Sequence, residues 1–273
     1  MNHIAFVQGR LVNKVDNKIQ AFPRDDWEKE LELASKHKIN FIELTVDLNR
    51  IWENPVASSL GVIKLKNKLS LCGIKVLACT ADFIMHNPPW KSNSEDMVLI
   101  TKKVIQGLGK IGCKLIVIPF VDDSSILKGY EDDALKFLMS LESCLEKSGV
   151  EVAIESDYKP KNLLKFMKRM PSNLYGINYD IGNSASLGYD VGEEFALYFN
   201  RIKHIHIKDR VFKGTTVPLG EGDADLTLCF NLLKKYNYKG NFSMQTARDD
   251  SDNHIEVMLK YISMVNKNIN DNY

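Results

Sequence analysis

Four residues of metal-binding or acid–base type sit at the ends of four successive short apolar runs in the second half of this 273-residue chain. Glu155 closes Ala153-Ile154-Glu155, and Asp180 closes Asn178-Tyr179-Asp180. His206 lies in His204-Ile205-His206-Ile207-Lys208-Asp209, and Gln245 closes Ser243-Met244-Gln245. In an extended strand, residues two apart share a face. Ala153 with Glu155, Asn178 with Asp180, His204 with His206 and Ser243 with Gln245 therefore point one way, while Ile154, Tyr179, Ile205 and Met244 point the other. An inward ring of two carboxylates, an imidazole and an amide is costly to bury unless something organises it. One divalent cation would do so, and mixed oxygen and nitrogen donors suit Mn, Zn, Co or Mg better than a thiolate-bound metal.

The elements that must position this ring recur along the chain. Short apolar runs fall at Ile4–Val7, Phe41–Thr45, Ile74–Cys79, Leu115–Ile118, Val150–Ile154, Tyr175–Tyr179, Ile202–Ile207 and Asn241–Met244. Between them lie amphipathic, helix-like segments such as Asp25–His37, Ser94–Ile111, Asp132–Lys147 and His254–Val265. Gly73, Gly112, Gly149 and Gly240 stand just before strands, where a left-handed helix cap is expected. Buried strands alternating with helices predict a parallel sheet. Eight units in a chain of this length predict a single (β/α)8 barrel over residues 1–273, with functional groups at the strand C-termini. A doubly wound sheet would want a glycine-rich phosphate loop after the first strand, and Gln8-Gly9-Arg10 is not one.

The segments Glu155-Ser156-Asp157, Asp180-Ile181-Gly182-Asn183, His204 to Arg210 and Val217-Pro218-Leu219-Gly220-Glu221-Gly222 resemble the xylose isomerase-like TIM barrels. These are the sugar phosphate isomerases and epimerases, with endonuclease IV as a distant relative. The resemblance covers most of the chain. The start, Val7 to Leu11 with Gln20-Ala21-Phe22-Pro23 and Trp27, looks like a subset encoded among surface-carbohydrate genes. The resemblance implies a metal held by Glu155, Asp180, His206 and the eighth-strand residue. The family's usual glutamate there is Gln245 in this chain. Its amide oxygen can ligate a cation but cannot move a proton at neutral pH. The expected chemistry is then proton removal next to a carbonyl by Glu155, with the metal stabilising an enediolate and the same group returning the proton. That is aldose–ketose isomerisation rather than two-base epimerisation, unless Lys208 or Asp157 serves as a second base. The implied function is isomerisation or epimerisation of a sugar, sugar phosphate or cyclitol. The alternatives are a lyase or dehydratase acting on a keto-cyclitol-type acid, and a non-catalytic sugar-binding barrel.

Further candidates stand near the other strand ends. Gln8 and Arg10 follow the first strand, and Arg10 has the forked donors to grip a phosphate or carboxylate. Arg210 and Arg248 are similar, and convergence of two of these three arginines would favour a charged substrate. His86, Asn183 and Arg210 are expected on the substrate side, with Lys208 beside the chemistry. Glu43 faces inward from the second strand and is expected either to orient His206 or to make a plain structural hydrogen bond, while His204, one pleat deeper, reads as a packed histidine. Trp52 and Trp90 either wall the pocket or pack between helix and loop. Lys213–Asp223 is expected to fold over the site, and Asp209 and Lys208 are expected either to pair with each other or to hold the loop after the seventh strand.

The net charge of +1 gives no global pull toward nucleic acid, and a DNA-repair nuclease would want more ligands and a basic rim. No apolar run has the length of a membrane span or a signal-peptide core. The five cysteines, Cys72, Cys79, Cys113, Cys144 and Cys229, lack metal-ligand spacing and read as buried thiols in a reducing cytoplasm. A small-molecule sugar or sugar phosphate is the expected partner, with pairing into a homodimer possible for a barrel. The polar tail from Asn266 is expected to fray.

Overall fold

The computed structural model describes residues 2–92, 94–127, 129–248 and 253–272. Eight parallel strands close into a barrel: β1 (Ile4–Val7), β2 (Phe41–Thr45), β3 (Lys75–Thr80), β4 (Leu115–Phe120), β5 (Glu151–Ser156), β6 (Tyr175–Asp180), β7 (Ile202–Ile207) and β8 (Asn241–Met244). Each pairs with its sequence neighbours, and β8 closes on β1 through Ile4↔Phe242 and Phe6↔Met244. The chain is thus the (β/α)8 barrel expected from its alternating pattern.

The outward strand residues and the inner faces of the helices form one large core, including Phe6, Ile42, Ile154, Tyr179, Ile205 and Met244. Inside the barrel a separate small cluster of Ala78, Leu115, Val117 and Ala153 fills the β3–β5 side. The β6–β8 side is filled instead by polar groups: Asn178, His204, His206 and Ser243 are all buried.

Two register shifts set which side chains face that polar half. Between β6 and β7, Ile177 pairs with Ile202 but Asn178 pairs with His204, so Lys203 is bypassed and Asp180 comes level with His206. Between β2 and β3, Ile42 pairs with Val76 but Glu43 with Ala78, bypassing Leu77. Because side chains alternate with period two, one bypassed residue re-aims everything beyond it.

Three helix ends follow the expected glycine rule: Gly73, Gly112 and Gly149 cap helices in the left-handed conformation. The fourth differs. Helix Leu226–Lys235 ends before Tyr236, and Asn237, not Gly240, takes the left-handed turn at φ 56. Gly240 is needed for another reason, since a Cβ there would run into the Tyr238 ring. The helix expected over Asp132–Lys147 is broken into Glu131–Met139 and Glu142–Ser148. Ser140 Oγ donates to the Phe137 carbonyl at the break, a local bond that competes with helix continuation. The tail does not leave the helical path at Asn266, because helix His254–Asn272 continues through it. Tyr273 lies outside the described residues. No helix among the described residues is long and apolar enough to cross a membrane.

Candidate metal and substrate site

Glu155, Asp180 and His206 meet at the C-terminal end of the barrel. One donor atom from each lies within 4.8 Å of the others. His206 Nδ1 is 3.2 Å from Glu155 Oε2 and 3.8 Å from Asp180 Oδ2. The opposite ring nitrogen, Nε2, lies 3.0 Å from Glu43 Oε1. Glu43 is completely buried and also meets His204 Nε2 at 3.0 Å and the Thr80 hydroxyl. Ser243 Oγ, 2.8 Å from His204 Nε2, completes this base layer.

The arrangement fixes the imidazole. A proton on Nε2 answers Glu43, which turns the Nδ1 lone pair toward two carboxylates. Three electron-pair donors facing one point repel each other unless a cation or a proton intervenes. Burial alone would discharge the ring, but Glu43 and then Asp180 and Glu155 overcome it and hold His206 well above the ordinary histidine value. Burial likewise opposes ionisation of Glu43, yet the two histidines keep it well below the usual carboxylate range. A divalent ion exchanging for the proton at Nδ1 satisfies the same electrostatics. Asn178 turns its Nδ2 toward the cluster, 2.9 Å from Glu155 Oε2 and 3.0 Å from His206 Nδ1. The donor set fits a hard or borderline metal.

The remaining corner is different. Lys208 Nζ donates to Asp180 Oδ2 and to Gln245 Oε1, each at 2.8 Å. The amide oxygen expected to complete the ligand set thus accepts from an ammonium group. Asp180 Oδ1 caps the following helix by accepting from Asn183 N at 2.8 Å, so it is both a helix cap and a member of the cluster. Glu155 is held by two amides, Asn178 Nδ2 at 2.9 Å and Asn183 Nδ2 at 2.6 Å.

A cavity of about 770 Å³ opens above this layer, with Glu155, Lys208, Gln245, Asn183, Arg210 and Arg10 among its walls. His86 stands exposed on the same rim. Gln8 is not brought to it. Only 1% exposed, Gln8 turns sideways and accepts from Thr45 N at 3.1 Å, stitching β1 to β2. Arg10 borders the cavity but points its donors at the Thr246 carbonyl (3.1 Å), the Ile19 carbonyl (2.5 Å) and Gln20 Oε1 (3.2 Å). Burial, and then Arg248, lower its pKa to about 10. Arg210 donates to the Gly214 carbonyl and to Asn183 Oδ1, the latter at 2.7 Å. Arg248 donates to the Gly9 and Val12 carbonyls. All three arginines brace loops, and two of them, Arg10 and Arg210, also border the cavity.

The tryptophans do not wall the cavity. Trp90 is buried against Phe120 and Phe137, with Nε1 donating to the Ser124 carbonyl at 3.1 Å. Trp52 is half-exposed elsewhere, beneath Lys103 at 4.6 Å. Asp157 is likewise absent from the cavity walls. Asp209 anchors the loop after β7, accepting from Gly220 N, Gly222 N and Ala224 N. Thr215 and Thr216 of that loop reach the cavity.

Gln20 and Asp82 are among the cavity residues that the sequence reading did not place at the site. Gln20 lies in the long β1 loop and Asp82 just beyond β3, and both line the cavity. Neither stands at a strand end, so the alternation rule had no purchase on them.

The family pattern of the xylose isomerase-like TIM barrels matches residues 31–263. The L-ribulose-5-phosphate 3-epimerase UlaE of Escherichia coli is 26% identical over 250 residues, covering 82% of this chain and 84% of that one. Among solved structures, the IolI protein with a bound zinc atom superposes with a TM-score of 0.74 at 18% identity, covering 99% of both chains. The D-allulose 3-epimerase of a Methylomonas species, in complex with D-allulose, superposes with a TM-score of 0.71 at 13% identity over 98% of both. By this match, as by its closed barrel, the chain belongs to the xylose isomerase-like TIM barrel family, among sugar isomerase and epimerase relatives.

Proposed function

We propose that this protein is a divalent-metal-dependent epimerase or isomerase of a ketose or ketose phosphate, working by proton removal next to a carbonyl. The observation that carries the reading is the convergence of Glu155, Asp180 and His206 donors within 4.8 Å beneath an open cavity. Glu155, Asp180 and His206 would hold the ion, with the Gln245 amide oxygen as a neutral fourth donor. When bound, such an ion supplies Lewis acidity toward sugar oxygens. Glu43 fixes the His206 tautomer. Asn178 and Asn183 keep the Glu155 carboxylate aimed, and Glu155 takes the proton from the carbon beside the carbonyl. Lys208, between Asp180 and Gln245, offers a donor to a substrate oxygen. The named substrates of the epimerase relatives support a ketose over a cyclitol acid.

The test is metal analysis of the purified protein, followed by incubation with L-ribulose 5-phosphate or D-allulose in deuterium oxide. Deuterium should enter beside the carbonyl, and Glu155→Gln should slow this on the order of 10³-fold. Wild-type protein that binds no divalent ion and exchanges neither sugar would sink the reading. A second reading, sugar binding without turnover, is favoured by one feature: the Lys208 ammonium already bridges Asp180 and Gln245. Sugar binding with neither metal nor exchange would be its signature.

A further inference from the structure

Epimerisation needs a proton delivered to the face opposite the one that lost it, and Gln245 cannot supply one. Lys208 is engaged with Asp180 and Gln245, and Asp157 is outside the cavity walls. Asp82 remains. It opens the short helix Asp82–His86 directly beyond β3, is 7% exposed, and borders the same cavity as Glu155. β4 separates the strands that carry the two carboxyls, so they border the cavity from two directions.

A chain of side-chain amides fixes the position of Asp82. Gln245 Nε2 donates to Gln20 Oε1 at 3.1 Å, and Arg10 Nη2 donates to the same oxygen at 3.2 Å. With its oxygen held from two sides, Gln20 turns its Nε2 to Asp82 Oδ2 at 2.7 Å. Asp82 thus lies two hydrogen bonds from the position where the family's second glutamate is missing. We propose that Asp82 is the second proton-transfer group of this site, replacing the lost glutamate from the β3 side of the cavity. The inference rests on Glu155 opening the reaction.

The charge environment agrees. Burial first raises the Asp82 carboxyl, the Gln20 hydrogen bond lowers it, and the charges of Glu155, Glu43 and Asp47 raise it again, leaving it at about 7. A carboxyl that still carries its proton near neutrality can donate it. In the forward step the Glu155 carboxylate accepts the proton from the carbon beside the carbonyl. The C–H electron pair becomes the enediolate double bond, and the carbonyl π pair moves onto oxygen. The Asp82 carboxylic acid then gives its proton to the same carbon from the other side, and the carbonyl re-forms. Glu155 ends protonated and Asp82 ionised, and exchange with water restores both.

The experiment compares wild type and Asp82→Asn, metal-loaded, with L-ribulose 5-phosphate and D-allulose in deuterium oxide. Nuclear magnetic resonance follows two quantities: deuterium entering unreacted sugar, and the inverted epimer formed. Asp82→Asn should lose inversion by about 100-fold or more while exchange stays within about threefold, because Glu155 still works alone. Asp82→Glu should recover part of the inversion. Asp82→Asn/Gln245→Glu should restore it by returning a carboxyl to the eighth strand. Inversion retained by Asp82→Asn, or inversion and exchange lost together in a variant that still melts cooperatively, would overturn the assignment. Wild type that exchanges without inverting would remove Asp82 and leave the proposed function standing, as a one-base isomerase. Wild type that does neither would bring down both.

Discussion

The two sides of the barrel mouth use charged residues in opposite ways. On the β5–β8 side, Glu155, Asp180 and His206 present donor atoms to one another, and a buried base layer of Glu43, His204 and Ser243 holds them there. On the β1 side, the buried Arg10 and Glu30 and the half-buried Arg248 serve the backbone. Arg10 and Arg248 donate to loop carbonyls, while Glu30 accepts from Gly9 N and Leu11 N. A strand end already has its backbone satisfied by the ladder, which leaves its side chain free for chemistry. A long loop lacks that ladder, so buried polar side chains must satisfy its amides and carbonyls.

Glu43 tests the first half of this contrast and carries the largest expected effect. Glu43→Ala strands two buried imidazoles that now share one carboxylate. Breaking such a cluster costs about 3–5 kcal/mol, and loss of the partner that orients a ligating histidine lowers metal affinity about 10–100-fold. Thermal unfolding and metal titration should both register it. Unchanged metal affinity in a folded variant would mean that His206 is not positioned through Glu43.

Arg10 tests the other half. If its guanidinium braces the loop, Arg10→Met should destabilise the fold by about 1–3 kcal/mol through unpaired buried carbonyls. It should also leave the KM ratio of L-ribulose 5-phosphate to L-ribulose unchanged. A selective rise in KM for the phosphate alone would return Arg10 to the role of anion clamp.

The same contrast decides what could be read from the sequence. The barrel was legible because each strand–helix unit repeats one apolar pattern, and Glu155, Asp180 and His206 because neighbouring strands carry the same kind of residue at the same place. The two bypassed residues, Leu77 and Lys203, left no sequence signal, yet they set how Glu43 and His206 meet. Gln8, which is turned away from the cavity, misled because a polar residue after a strand looks the same whether it faces substrate or stitches backbone. Gln20 and Asp82 were invisible because a hydrogen bond spanning 62 residues between two loops has no period to detect.

The smallest expected effect concerns Glu30, the anchor of the β1 loop. Burial first pushes its carboxyl up, the Leu11 and Gly9 amides pull it back, and it settles at about 7, against an ordinary value of 4.5. Between these values the unfolded chain has released the proton that the folded chain keeps. The folded state then binds more protons, and Glu30's contribution to stability falls as pH rises from about 4.5 to about 7 and levels off above. His204 and His206 also titrate differently on folding, so the clean quantity is a difference between proteins. Glu30→Gln keeps a neutral acceptor for the Gly9 and Leu11 amides, so the wild type should lose about 1–3 kcal/mol relative to it across that window. Denaturant unfolding at pH 5 and pH 8 measures the gap. Parallel curves would mean that the loop holds an ionised Glu30 without penalty, as a site exposed to water would, and the contrast between a dry, bracing β1 side and a reactive β5–β8 side would lose its electrostatic basis.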